Sequence, residues 1–126
     1  MLKVTTASGS VLIPGDIESR AEAELVARAG ARTQSTLLVA PHHGSRTSSS
    51  EVLLDAVQPK AVAFTAGYRN RFGHPKPEVV ERYRARNVEA LRSDRDGALL
   101  VDFAEGRMSV IRWREAERRY WRDAAR

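Results

Sequence analysis

Two short apolar runs constrain the fold of this chain more than any other feature. Residues 37–40 read LLVA and residues 61–66 read AVAFTA, and neither run contains a charged residue. Uninterrupted apolar runs of this length are typical of strands covered on both faces, as in a parallel sheet between two layers. A helical pattern follows each run, so the sequence predicts parallel strands connected by helices.

The rest of the chain extends this alternation. Strands are predicted at 3–6, 11–13 and 88–91, and helices begin near Ser19, Ser48 and Pro77. Two further strands, 99–103 and 108–113, are predicted to pair across the turn at Glu105-Gly106. The predicted fold is therefore α/β, a mixed sheet with flanking helices and a C-terminal hairpin.

Three local signals refine this prediction. Ser19-x-x-Glu22 and Ser48-x-x-Glu51 each match a capping box, in which the serine and the glutamate of one helix start bond each other's backbone amides. Asp96-Gly97 matches a hairpin-type turn.

Composition limits the class of protein. A chain of 126 residues, 42% hydrophobic and 29% charged, fits one folded domain and can bury a core. The chain has no apolar run of about 18 residues, and its first residues do not resemble a signal peptide, so a soluble domain is expected. The absence of cysteine excludes disulfides, thiol nucleophiles and thiolate metal sites.

The charge is unevenly placed. The net charge is +5, and the last 20 residues contribute most of it with seven arginines against three acidic residues. Residues 25–50 and 56–77 contain no acidic residue at all. Locally positive loops on a nearly neutral body favour an anionic substrate.

Three predicted loops carry potential metal ligands. Asp16 follows the strand at 11–13, His42 and His43 follow the strand at 37–40, and His74 lies in the loop after 61–66. If these strands are parallel neighbours, all three loops open at one edge of the sheet, where carboxylate and imidazole groups suit zinc, manganese or iron. The alternatives are that Asp16 is a turn or helix-cap residue and that the histidines are polar loop residues without a metal.

The loop at 67–78, GYRNRFGHPKPE, is a candidate substrate-binding loop. Its cationic side chains can hold phosphates and its aromatic rings can stack on bases, although a solvated surface loop is the alternative. No nucleophile elbow, phosphate-binding loop or dinucleotide fingerprint is present. The candidate substrate-binding residues are Ser45, Arg69, Asn70, Arg71, His74 and Lys76.

Four motifs in order resemble one family. VLIPGDIESRAEAELVAR, LLVAPHHGSRTSSS, GYRNRFGHPKPEVVERY and SDRDGALLV together resemble the C-terminal part of ComEC-type DNA-internalisation competence proteins, over about residues 9–101. The resemblance implies a metallo-β-lactamase fold, an αββα sandwich attached to a membrane channel protein. It also implies a metal-dependent nuclease that degrades the DNA strand not taken up, either by contacting a single strand or a duplex backbone.

The resemblance also implies roles for individual residues. Asp16 is similar to the carboxylate that bridges two metals in this superfamily. One of the paired histidines is similar to the ligand contributed by the second half of the fold, with His42 preferred because it lies nearer the strand and His43 second. His74 and its arginine-rich loop are similar to family-specific substrate residues.

The superfamily's main metal motif, His-x-His-x-Asp-His, is absent, because the chain has three histidines in all. We therefore expect a partial metallo-β-lactamase-like domain at 1–113 and a basic amphipathic helix at 114–126, from a truncated chain or a split gene. A catalytic zinc usually has three protein ligands. Zinc or manganese is thus expected in the intact domain, with weak or no metal binding by this chain alone.

The implied partners are DNA, the missing N-terminal half of the domain, the membrane channel and, as another way to complete the site, a second copy in a homodimer. The resemblance places such a domain on the extracytoplasmic side of the inner membrane. The alternative functions are a non-catalytic DNA-binding or scaffolding module and another hydrolase of the same superfamily.

Overall fold

A five-stranded sheet forms the centre of the molecule in the computed structural model, which describes residues 1–117. The strand order is β1-β2-β3-β4-β5; β1 is antiparallel to β2, and the remaining neighbours are parallel. The predicted α/β class, with a mixed sheet and a C-terminal hairpin, is confirmed. The strands are β1 (Leu2–Thr5), β2 (Ser10–Ile13), β3 (Leu37–Val39), β4 (Ala61–Phe64), β5 (Glu89–Arg92), β6 (Leu99–Ala104) and β7 (Arg107–Arg112).

Helices cover one face of the sheet. Because side chains alternate along a strand, Leu12, Leu38, Val62 and Phe64 all point to this face, where they are fully buried against the helices. Tyr83 packs edge-on against the Phe64 ring at a centroid distance of 5.5 Å. The helices are α1 (Ser19–Ala29), α2 (Glu51–Val57), α3 (Pro77–Arg84), α4 (Ser93–Asp96) and α5 (Trp113–Ala116).

The hairpin of β6 and β7 covers the opposite face. Leu37, Ala61, Ala63 and Leu91 point to this side and form a second cluster with the inward residues of the hairpin. A Cβ added to Gly9 would lie 2.3 Å from the Phe103 ring, so the hairpin rests directly on the backbone of the β1–β2 turn. Both faces of the parallel strands are therefore covered, which explains their uninterrupted apolar sequence.

Asp96 anchors the hairpin to the sheet. Its buried carboxylate accepts hydrogen bonds from Arg95 Nε at 2.9 Å and from the Arg92 backbone N–H at 3.1 Å, and Arg112 Nε of β7 lies 3.5 Å away. Burial alone would raise the pKa of Asp96, but the bonds from Arg95 and Arg92 outweigh it and hold the pKa below its ordinary value. The hairpin turn predicted at Asp96-Gly97 is wrong: Asp96 ends the short helix α4.

Both predicted capping boxes are also wrong. Helix α1 has Glu18 at its N-cap with no side-chain cap, and helix α2 begins after Ser50, whose hydroxyl accepts from the Leu53 N–H. Ser48 instead donates to the Pro41 carbonyl at 2.8 Å and so ties the start of α2 to the preceding loop.

The predicted C-terminal helix at 114–126 is described only at its start. Helix α5 ends at Ala116, and residues 118–126 lie outside the described residues. Within residues 1–117, no helix has both the length and the apolar character needed to cross a membrane.

Candidate functional site

The carboxyl ends of β2, β3 and β4 meet at one edge of the sheet. Residues 14–18 follow β2, residues 40–50 follow β3 and residues 65–76 follow β4. Because the three strands are parallel neighbours, their following loops lie side by side, as the sequence predicted. This edge contains all of the candidate site residues.

The loop that carries the two histidines has an unusual backbone. His42, His43 and Gly44 follow one another with φ angles of 47°, 57° and 83°, all in the left-handed region. Such a conformation costs a non-glycine residue roughly 1–2 kcal/mol and is found where the surroundings enforce it. The surroundings here are the two neighbouring loops: the His42 N–H donates to the Gly15 carbonyl, and the Lys76 N–H donates to the Gly44 carbonyl.

This backbone brings His43 to Asp16. Nε2 of His43 lies 3.6 Å from Oδ1 of Asp16, and Nδ1 of the same ring lies 3.1 Å from the Thr65 hydroxyl. Each of the three loops thus contributes one group. Thr65, which the sequence interpretation had not singled out, immediately follows β4 and holds the His43 ring by its other nitrogen.

The spacing of Asp16 and His43 fits a shared divalent cation. Zinc bonds of about 2.0–2.2 Å in tetrahedral geometry place two ligands roughly 3.4 Å apart, close to the distance between Oδ1 and Nε2. Both side chains are partly exposed, so further ligands can reach the same point. Among residues 1–117, however, no group of three or more histidine, aspartate or glutamate side chains is arranged to hold a metal ion.

His42 faces a different carboxylate. Its Nδ1 lies 3.4 Å from Oε1 of Glu18, within ion-pair range, but the orientation is not that of a hydrogen bond and this nitrogen is buried without a hydrogen-bond partner. Glu18 also accepts from the Thr47 hydroxyl at 2.8 Å, and Thr47 lies 3.2 Å from the Ser45 hydroxyl. Glu18 was missed in the sequence, where its position two residues after Asp16 was the available signal.

His74 lies beside His42. Its ring centroid is 6.1 Å from that of His42. Burial lowers the pKa of His74, and the nearby Lys76, His42 and His43 lower it further. The His74 ring is therefore expected to be neutral at pH 7.

Asn70 and Lys76 brace the loop between β4 and α3. The Asn70 side chain donates to the Gly67 and His74 carbonyls and accepts from the His74 N–H, at 2.7–3.2 Å. The Lys76 ammonium donates to the Phe72 carbonyl at 2.7 Å. These two predicted substrate-binding residues thus bond within their own loop, whereas Arg69 and Arg71 extend from its exposed surface.

Comparison with known proteins gave no matching family model. Curated proteins do match over most of this chain. It is 37% identical over 121 residues to "Competence protein ComA" of Neisseria gonorrhoeae, which covers 96% of this chain and 17% of that protein. It is 36% identical over 114 residues to "Uncharacterized protein YcaI" of Escherichia coli K12, which covers 89% of this chain and 15% of that protein.

A third relative is more distant. The chain is 30% identical over 99 residues to "ComE operon protein 3" of Bacillus subtilis strain 168, covering 79% of this chain and 13% of that protein. The chain therefore spans less than a fifth of the length of these relatives. The residues of the candidate site all lie within residues 9–101, the range of the sequence resemblance.

Proposed function

We propose that this chain is part of a ComEC-type competence protein and that it forms part of a metal-dependent phosphodiesterase domain that acts on DNA during uptake. Two of the relatives carry competence or the ComE operon in their names. A domain of this kind would meet an incoming polyanion, and the acid-free loops of this chain lie at the same sheet edge as Asp16 and His43.

The observation that carries this proposal is the pairing of Asp16 with His43. Their 3.6 Å separation joins two loops that are distant in sequence, and the Thr65 hydroxyl orients the imidazole from the other side. A hydrogen bond to the second ring nitrogen is what fixes a metal-binding histidine in proteins. The proposal therefore assigns His43, rather than His42, as the imidazole ligand.

In this proposal Asp16 and His43 hold zinc or manganese together with ligands from another segment of polypeptide. A bound divalent cation supplies a water molecule of lowered pKa near a phosphodiester. The chain's own residues supply the rest: Arg69 and Arg71 hold the DNA backbone, and the Thr65 hydroxyl accepts a hydrogen bond from the Nδ1–H of His43, which leaves the Nε2 lone pair for a cation shared with Asp16. The metallo-β-lactamase-type sandwich, of which this chain would be the second half, is part of the same proposal.

Metal binding tests the assignment. We expect Asp16→Asn and His43→Gln each to weaken Zn²⁺ or Mn²⁺ binding by at least about tenfold, because each removes one of two ligands. Isothermal titration calorimetry on the 126-residue chain measures this. Asp55→Asn is the matched control, since Asp55 is an exposed carboxylate on α2 that pairs with Arg86.

Two results would contradict the proposal. Equal metal affinity of the wild type, Asp16→Asn and His43→Gln would show that these residues are not ligands. Rapid, EDTA-sensitive cleavage of DNA by this chain as a monomer would show that its site is already complete, and a mass measurement in solution separates that case from a homodimer. DNA binding without any metal affinity would favour the alternative of a non-catalytic DNA-binding module.

A further inference from the structure

Two aromatic rings stand exposed beside the candidate site. Tyr68 and Phe72 are 53% and 60% exposed, and neither belongs to the two apolar clusters that form the core. Both lie in the loop between β4 and α3, which contains no acidic residue. Rings that are more than half exposed contribute less burial than core side chains, so a large part of each ring is available to a ligand.

Each ring is accompanied by arginine. The Arg69 and Arg114 guanidinium carbons lie 5.1 and 5.2 Å from the Tyr68 ring centroid, and that of Arg71 lies 4.9 Å from the Phe72 centroid. Exposed cation–π contacts of this kind contribute about 0.5–1 kcal/mol. A nucleobase stacked on an aromatic ring contributes about 1–3 kcal/mol. A base can therefore replace the guanidinium on the ring, and the displaced arginine remains within reach of the adjoining phosphate.

The loop is shaped before any ligand arrives. Asn70 bridges its two ends, and Lys76 fixes the Phe72 carbonyl. The Phe72 ring stacks on His74 with centroids 5.9 Å apart and planes inclined by 27°, and His74 in turn contacts His42. A row of rings thus leads from the exposed surface toward the Asp16–His43 pair. Because the loop is already ordered, it loses little conformational entropy when a strand binds along it.

From this geometry we infer that Tyr68 and Phe72 form a stacking platform for unpaired bases of single-stranded DNA, which guides one strand toward Asp16 and His43. The inference rests on the proposed DNA contact and names its substrate class. Bases in a duplex are stacked on their neighbours and expose only their edges, so they cannot lie on a protruding ring without being unpaired first. Every base has an aromatic face, and the platform therefore tolerates any sequence.

Binding of labelled oligonucleotides in EDTA tests this inference without metal or cleavage. The probes are a single strand, the duplex of the same sequence and a single strand with abasic sites that keeps its phosphates. We expect Tyr68→Ala and Phe72→Ala each to weaken binding of the intact single strand by about 5- to 100-fold, with little change for the duplex or the abasic strand. Phe72→Trp and Tyr68→Phe, which keep a ring, should bind like the wild type.

Val52→Ala is the control, because Val52 is an apolar residue of similar exposure that belongs to α2 and not to this loop. The inference would be wrong if Tyr68→Ala and Phe72→Ala weakened binding of all three probes equally or left all three unchanged. Either result would point to a protein-binding surface instead. A wild-type chain that binds the duplex as tightly as the single strand would overturn it as well. Failure of the metal assignment leaves these EDTA measurements unchanged, so the two proposals fail separately.

Discussion

The carboxylate of Glu22 joins helix α1 to the start of helix α2. It is fully buried, and its two oxygens accept hydrogen bonds from the backbone N–H groups of Ser49 at 2.7 Å and Ser50 at 2.8 Å. These amides lie at the N-terminus of α2, where they have no partner within the helix and where the helix dipole favours a negative charge. Tyr83 adds a hydrogen bond to the Ser49 hydroxyl from a third helix.

We expect Glu22→Gln to lower the free energy of unfolding by about 2–3 kcal/mol. The amide would retain one acceptor oxygen but turn an NH₂ group toward a backbone N–H, so one charge-assisted bond is lost and a donor is left facing a donor. Urea denaturation measures the loss. Glu24→Gln on the same helix is the control, because Glu24 is exposed and its ion pair with Arg20 lies on the surface; we expect less than about 0.5 kcal/mol. Equal effects at the two positions would refute this account.

The place of a residue in the fold could be predicted from the sequence more readily than the groups that it contacts. Asp16, His42 and His43 were predicted from their positions after apolar strands. That His43 rather than His42 faces Asp16 depends on consecutive left-handed residues, which sequence spacing does not indicate. Glu22 fitted a local capping pattern, but its partners lie 27 and 28 residues away, and burial made the long-range bonds the better solution.

At the scale of elements, Gly44 controls how the histidine loop fits between its neighbours. Its φ is 83°, and an added Cβ would lie 2.7 Å from Pro75 and 2.8 Å from the Phe64 ring. No side chain fits there unless the loop moves away from β4 and from the loop that contains Pro75. The loop therefore holds the histidines in place partly because this position has no side chain.

We expect Gly44→Ala to destabilise the protein by about 1–3 kcal/mol more than Gly106→Ala, measured by urea denaturation. Gly106 is the matched control because its φ is 71°, so both variants strain the backbone, but among residues 1–117 no neighbouring atom lies within 4 Å of a Cβ at that position. The difference between the variants therefore reports the steric clash alone. Similar losses would mean that the loop can shift at little cost.

The order of elements followed from the sequence because local patterns determine it. Both buried strands, the three main helices and the turn at Glu105-Gly106 lie where apolar periodicity and turn residues indicated. The turn predicted at Asp96-Gly97 failed for a tertiary reason. Asp96 is bound by Arg95 and the Arg92 amide and lies beside Arg112 of β7, and this interaction favours a short helix over a hairpin.

At the scale of the whole molecule, the three layers separate stability from function. The helices and the hairpin bury the two faces of the sheet, and the candidate site occupies the edge where the parallel strands end. The loops at that edge can thus carry charge and exposed rings without disturbing either core. The net charge of +5 is consequently a poor guide to the binding surface, because position determines which cations meet the substrate.

The salt dependence of DNA binding tests whether position outweighs total charge. Lys76 is left unchanged in this test, because its ammonium already donates to the Phe72 carbonyl within the loop. Arg69 and Arg71 each neutralise one phosphate in the proposed complex and release its counterions. Replacing both with alanine should therefore reduce the slope of log affinity against log salt by about 1.4 for single-stranded DNA, similarly for unrelated sequences.

Arg20 and Arg84 provide a control of equal charge. Their side chains are 94% and 82% exposed on α1 and α3, and they form ion pairs of 3.5 and 3.9 Å with glutamates on the same helices. Replacing both with alanine removes two positive charges from the helical layer, so we expect a change in slope below about 0.5. The tail arginines Arg118, Arg119 and Arg122 lie outside the described residues. A third variant, with these three replaced by alanine, is measured in the same way. If replacing the tail arginines reduces the slope of log affinity against log salt and replacing Arg69 and Arg71 does not, DNA binds along the tail. The scaffolding function would then replace the one proposed.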